Sequence, residues 1–219
     1  AYATRDEAEQ ELRDFTGIGD STEVEARHLE MKVGRVAKHW EGNCLAVGLS
    51  QGFIEPLEAT ALLLVQLTVQ SFIWALETGN FTAEKRDWFN DDVNGRFEAV
   101  RDYIVAHYLV NSRNDSDYWL DNANNGKVSS SLYDVISTWT AGKDISAELK
   151  RQKKKDYYPT LSWHCLLAGY GIYPAEEGLH TRGSEKYRAK LDEIHEFIRR
   201  CALNYASHME LLNSQGRAA

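Results

Sequence analysis

Two glutamates, Glu55 and Glu58, flank Pro56-Leu57 at the end of the run Gly48-Leu49-Ser50-Gln51-Gly52-Phe53-Ile54. Neither carboxylate has a basic partner nearby in sequence. Glycines let a backbone approach a flat ligand closely, and the free N–H groups where an apolar helix begins at Thr60 favour an anion. Carboxylates, a flat ligand and an anion could therefore meet on this one segment. The plainer alternative is a strand-to-helix connection in which Glu58 is a helix-start residue favoured by the dipole. Residue types by themselves leave the two readings open.

Other chemistries are argued against by spacing. Gly48-Leu49-Ser50-Gln51-Gly52 fits the Gly-x-Ser-x-Gly elbow of serine hydrolases and follows a strand-like run. That elbow must pass directly into a helix, whereas Pro56 interrupts here and no glycine-rich oxyanion loop precedes it. Asp121 to Leu132 imitates a calcium loop in part, but Ala123 holds the third position and Leu132 stands where a bidentate Glu is needed. The histidines form no close pair. Cys44, Cys165 and Cys201 are odd in number and far apart, so neither a metal site nor a disulfide framework is expected. A reducing cytoplasm is the setting this suggests.

A chain of 219 residues suffices for one large domain, or for a small remnant plus a helical one. The formal charge of −8 argues against a nucleic-acid partner, which needs clustered Lys and Arg. The one basic run, Lys150 to Lys155, reads as a solvated loop or helix end. No secretory signal is apparent, because the opening residues are acidic and lack an apolar core. Ala61 to Leu76 falls short of the roughly 20 residues of a membrane span and contains Gln66 and Gln70, so it is expected to be a buried helix. The sequence opens at Ala1 without an initiator Met and contains no Gly-x-Gly-x-x-Gly. It therefore reads either as a fragment or as a protein without the usual nucleotide fingerprint.

The elements that must position the glutamates follow from periodicity. Glu7 to Phe15 reads as a short helix with Ala8, Leu12 and Phe15 on one face. His28 to Val33 and Val36 to Trp40 alternate around Gly34-Arg35, which predicts a hairpin there. Cys44 to Val47 predicts a strand buried on both faces. Thr60 to Thr78 is apolar nearly all round, hence a central helix. Ala83 to Val110 is a long amphipathic helix, Asn111 to Val128 a polar loop, and short helices follow near Ser131 to Trp139 and Ser162 to Ala168. Ser184 to Leu212 closes the chain as one helix with Ser184 at its N-cap.

The stretch from Gly42 to Ala61 resembles the Asn-Cys-x-Ala-x-Gly-Leu-x-x-Gly-Phe-x-Glu-Pro-Leu-Glu-Ser-Thr motif of the tryptophan halogenases. Arg101-Asp102-Tyr103-Ile104, His107-Tyr108, Arg113, Asp115-Ser116 and Trp119 resemble that family's Arg-Asp-Phe, His-Tyr, Arg-x-Asp-x-x-x-Trp signature. Cys165-Leu166-Leu167-Ala168-Gly169-Tyr170-Gly171 resembles its Cys-x-x-Ala-Gly-x-Gly turn. The resemblance implies an α+β fold, in which remnant strands of an FAD-binding, monooxygenase-like domain (residues 1–58) precede a mainly helical substrate domain (residues 59–219).

The same resemblance implies a reaction. Reduced FAD, oxygen and chloride or bromide yield hypohalous acid, which crosses a tunnel to a lysine and halogenates an aromatic ring beside a glutamate. That glutamate matches Glu58. Gly48, Gly52, Pro56 and Leu57 match the flavin side of the loop, and the halide site matches the amides of Thr60 and Ala61. Ala59 and Ala61 replace the family's Ser and Gly, and the added methyl at Ala61 bears on how snugly a halide sits. The family's lysine and dinucleotide fingerprint lie upstream and have no counterpart in these residues.

Tyr157, Tyr158, Trp163 and His164 stand where tryptophan-specific members carry a longer insert. They are the candidate substrate contacts, although Tyr157 and Trp163 suit a helical core equally well. Indole or another electron-rich aromatic is the expected substrate, a separate reductase the expected source of reduced flavin, and a homodimer the oligomer considered. No membrane or nucleic-acid partner is expected. The alternatives are a non-catalytic helical binding module and a hydroxylating flavin monooxygenase of the same lineage.

Overall fold

The computed structural model describes residues 2–19, 24–30, 32–55, 57, 60–153, 157–174 and 184–215. It divides into two compact units, residues 1–178 and 179–219. Within the first unit the strand-bearing stretch is hydrogen-bonded to the helices that follow it.

Helix α1 (Arg5–Thr16) opens with a capping box between Thr4 and Glu7 and closes at Gly17, whose φ of 72° suits a left-handed cap. None of its residues is buried, and Leu12 and Phe15 face outward.

The four strands described are each two residues long. β1 (Gly34–Arg35) pairs antiparallel with β4 (Gly52–Phe53), placing Arg35 opposite Gly52. β2 (Trp40–Glu41) pairs with β3 (Cys44–Leu45) around Gly42, whose φ is 56°. The hairpin expected at Gly34-Arg35 is therefore corrected. Those residues are themselves a strand, and the tight turn falls at Gly42-Asn43. Gly52 selects the pairing, since a Cβ there would lie 2.5 Å from the Gly34 carbonyl oxygen. The expectation for Cys44 to Val47 is corrected as well. Cys44 is exposed and Leu45 half-buried, because only one neighbouring strand covers them.

Helix α2 spans Thr60–Thr78, as its apolar run predicts. It is not buried all round. Its buried side is Thr60, Leu64, Thr68, Ser71 and Ala75, at helical spacing, whereas Leu62, Ile73 and Trp74 are exposed. By length and composition α2 could cross a membrane. Its inward polar groups nonetheless have partners inside the unit. Gln51 donates to Thr68 at 2.9 Å, and Ser71 joins Asp92 and Arg96.

Helix α3 (Arg86–Leu109) is the central element, burying Phe89, Val93, Phe97, Val100, Tyr103 and Ile104 along one face. Around it stand α4 (Asp117–Ala123), α5 (Ser130–Thr140), α6 (Ile145–Arg151) and α7 (Thr160–Gly169). Leu132 and Val135 of α5, Ile145 and Leu149 of α6, and Trp163 and Leu166 of α7 complete the core. Each such side chain contributes roughly 1.5–3 kcal/mol by leaving water.

Asn90 of α3 ties the strand segment to this core. Its side-chain carbonyl accepts from the backbone N–H groups of His39 and Trp40, each at 2.8 Å, and its amide donates to the Trp40 carbonyl at 3.0 Å.

The second unit holds α8 (Ser184–Ala202) and α9 (His208–Gln215). The single closing helix expected there is interrupted after Ala202. The side chain of Ser184, expected at the N-cap, lies outside the described residues. Tyr187, Leu191, Ile194 and Ile198 of α8 are all exposed.

Candidate active site

The segment carrying the two glutamates joins β4 to α2. Just before β4 the chain makes a single 3₁₀ turn, Gly48–Ser50, entered through Gly48 at φ 64°. Ser50 Oγ accepts from the Val47 N–H at 3.0 Å and donates to the Val47 carbonyl at 2.9 Å. That hydroxyl is committed to its own turn, which agrees with the case against a serine hydrolase.

Glu55 is half-buried, and its carboxylate accepts a hydrogen bond from the hydroxyl of Tyr108 on α3. Burial first, and then the Glu55 carboxylate, push the Tyr108 phenol well above its ordinary pKa, so the proton stays on the tyrosine. Tyr108 lies flat against Trp119, with ring centroids 5.7 Å apart, and the Arg113 guanidinium stands over the same indole, 4.3 Å from its centroid. Arg113 is gripped in turn by Asp115, at 2.6 Å. The Arg-x-Asp-x-x-x-Trp signature is thus a stack that backs Tyr108.

Pro56, Glu58 and Ala59 lie outside the described residues. Leu57 is half-buried, and its carbonyl accepts from Thr60 Oγ at 2.7 Å. Thr60 is buried and bonds through the same oxygen to the Tyr158 hydroxyl at 2.7 Å. Because Thr60 spends its only hydroxyl hydrogen on Leu57, Tyr158 is the donor in that bond. Ala61 belongs to α2 and is not among the described non-glycine residues of positive φ, so its methyl sits on an ordinary helical backbone.

An apolar cleft of about 240 Å³ opens beside this loop. Gly48, Gly52 and Ala61 line it together with Leu62, Val65 and Phe97. Three of the site residues chosen from sequence thus share one cleft wall. Gly52 owes its missing side chain to the approach of β1, as described above.

The four candidate substrate contacts separate. Tyr158 is buried and stacks on Tyr103, with centroids 3.7 Å apart and planes 18° apart. Trp163 is fully buried and meets Tyr103 edge-on at 4.9 Å, a core position. Tyr157 is half-buried, with the Arg96 guanidinium 5.9 Å from its ring. His164 is exposed and tilts against Trp139 at 5.4 Å. Sequence reasoning did not single out Tyr103 or Tyr108 as site residues. Their place in a signature was visible, but their partners are distant in the chain.

The other signature residues also have structural duties. Buried Asp102 accepts from Ser129 at 2.8 Å and from Ser131, fixing the start of α5. Gly171, at φ 75°, ends α7 while the Ile172 N–H bonds back to the Leu167 carbonyl at 2.9 Å.

The described fold superposes on those of solved flavin-dependent halogenases. One such enzyme, BrvH from Brevundimonas sp. BAL3, superposes with a TM-score of 0.75 at 29% identity, over 97% of this chain and 42% of that one. The thermophilic tryptophan halogenase Th-Hal from Streptomycin violaceusniger gives a TM-score of 0.78 at 30% identity, over 91% of this chain and 39% of that one. The chain belongs to the tryptophan halogenase family, whose model matches residues 1–183. Tryptophan 6-halogenase SttH of Streptomyces toxytricini is 36% identical over 173 residues, covering 78% of this chain and 32% of the relative. The chain thus spans about a third of that relative's length.

Proposed function

We propose that the protein halogenates an electron-rich aromatic, indole or a tryptophan-like compound, by way of hypohalous acid. The observation that carries this reading is the shared cleft wall of Gly48, Gly52 and Ala61, beside the buried Thr60 that opens α2. Reduced FAD, when bound, supplies with oxygen and halide the oxidant for the ring. Gly48, Gly52, Pro56 and Leu57 form the flavin side of the site in this reading.

The residues fit a halide. The first backbone N–H groups of a helix have no partner within it and carry the positive end of its dipole. Thr60 and Ala61 offer such groups next to apolar walls, where a weakly hydrated anion loses little. Backbone donors survive the Ala59 and Ala61 replacements, since neither removes an N–H. Glu58 positions the oxidant or takes the ring proton once halogen has added. His164 is exposed to an aromatic substrate and Tyr157 is half-buried beside Arg96, whereas Tyr158 and Trp163 support the start of α2 and the core. A separate reductase supplies the reduced flavin.

The test uses the complete, FAD-loaded protein with a flavin reductase, bromide and indole. Glu58→Gln keeps the shape and removes the charge, so halogenated product should fall by about 10²-fold with flavin retention unchanged. Product within about twofold of wild type would reduce Glu58 to a helix-start residue. Absence of halogenated product from the wild type, with indole and with tryptophan, overturns the proposed reaction.

A further inference from the structure

We infer that the cleft between α3 and α7 is a second binding site, built for a small planar aromatic molecule with one hydrogen-bonding group, of which indole is the simplest. Such a site goes beyond the proposed reaction and is independent of it. The cleft measures about 490 Å³, within the roughly 300–1,000 Å³ of small-molecule sites. It shares no lining residue with the cleft beside Thr60.

Its walls suit a neutral aromatic ring. Tyr103, His107 and Tyr170 line it, the His107 ring standing edge-on to Tyr103 at 4.8 Å and to Tyr170 at 6.4 Å. Leu161 and Leu166 add apolar surface, and Ser162 adds a hydroxyl that enters no hydrogen bond among the described residues. Among those residues no Lys, Arg, Asp or Glu lines the cleft, so a charged ligand would have no counter-ion there. The walls are also joined to each other. The Tyr103 hydroxyl donates to the Ser162 carbonyl at 3.2 Å and so ties α3 to α7. A preformed cleft spares a ligand the cost of ordering it.

The two glycines at the end of α7 differ in what they are for. Gly171 has φ 75°, a left-handed value that suits glycine. Gly169 is not among the glycines of positive φ, and a Cβ on it would meet no atom within 4 Å. Neither its backbone nor its packing calls for glycine, which weakens a helix relative to alanine. Its missing side chain leaves the cleft wall open. Cys165, one helical turn earlier on the same wall, is exposed.

Cys165 reports on occupancy in the complete protein. Iodoacetamide should alkylate it, and exposed Cys44 on β3 serves as the control, both followed by peptide mass spectrometry. With indole at about ten times its dissociation constant, alkylation of Cys165 should slow about tenfold while that of Cys44 is unchanged. Gly169→Leu extends into the open space and should abolish the effect of indole, with an unfolding temperature no lower than that of wild type. Tyr170→Ala removes one aromatic wall by a separate route and should weaken the protection about fivefold. Cys165 that fails to react while Cys44 does overturns the inference, because the complete protein then covers the cleft. Equal rates with and without indole, up to its solubility, overturn it as well. So does undiminished protection in a folded Gly169→Leu variant, which places the indole elsewhere. No halogenation is involved, so the failure of this site and the failure of the proposed reaction are read separately.

Discussion

Tyr158 donates its hydroxyl hydrogen to Thr60 Oγ across 2.7 Å, and Thr60 passes its own to the Leu57 carbonyl at 2.7 Å. This two-bond relay links α7's approach, the first residue of α2 and the loop before it. Thr60 is 4% exposed and Tyr158 6%, so water does not take over when one member is removed. Thr60→Val preserves shape and deprives both neighbours, which should cost about 2 kcal/mol of unfolding free energy. Tyr158→Phe should cost about 1 kcal/mol. Urea unfolding of the two single variants and the double variant should give a coupling near 1 kcal/mol. Additive losses would show that the two hydroxyls act independently.

Ala61 gives a second prediction, because it lies in α2 on ordinary helical backbone. Glycine there gains nothing from access to positive φ and loses backbone entropy on folding. Ala61→Gly should therefore cost up to about 1 kcal/mol of stability and leave the bromide dependence of halogenation unchanged. A clear fall in the bromide concentration needed for half-maximal rate would contradict this. It would mean that the methyl on the cleft wall crowds the halide.

The bounds of α2 are readable in the sequence because an apolar run, a preceding proline and a following glycine all agree. What is not readable is its orientation. The run is apolar on every side, so nothing local indicates that Thr60, Thr68 and Ser71 turn inward while Leu62 and Ile73 turn outward. That choice is made by Gln51, Arg96 and Tyr158, each from another part of the chain. α4 escaped notice because an Asn- and Asp-rich stretch carries turn chemistry, and the hairpin was misplaced because Gly34 and Gly42 both look like turn glycines. The site was half legible. Glu55 stands out by its place before Pro56, but the tyrosine that holds it lies 53 positions away.

Asn90 supplies a third prediction. It is 7% exposed and its side chain serves three backbone groups of His39 and Trp40. Asn90→Ala strands two buried N–H groups and one carbonyl, which should cost about 3 kcal/mol. Asn94, one turn on, makes comparable bonds to the Ala37 carbonyl and to His39 Nε2, each at 3.0 Å, but nearer to solvent. Asn94→Ala should cost about 1 kcal/mol. Equal midpoints for the two variants in chemical denaturation would mean that Asn90 is not what fastens the strand segment to α3.

The last prediction concerns acid. His39 is 1% exposed, lies against the ring of Phe97 and directs Nε2 toward Asn94 Oδ1. Asn94 uses its amide to donate to the Ala37 carbonyl, so its oxygen is the acceptor and Nε2 carries the hydrogen. Nδ1 is then the site left for a second proton, and it is buried with no hydrogen-bond partner. Burial, reinforced by the Arg35 charge and opposed by the Asn94 bond, lowers the imidazole pKa below its ordinary 6.5. The native state therefore binds that proton less readily than the unfolded chain does. The stability this provides is fully present above about pH 6.5 and is lost as pH falls toward the folded-state value. Unfolding midpoints should decline between about pH 7 and pH 5, before most carboxylates titrate. His39→Gln keeps a donor toward Asn94 and cannot take up a proton, so its midpoints should vary less over that interval. If the wild type and the variant share one pH profile, the acid sensitivity belongs to another group.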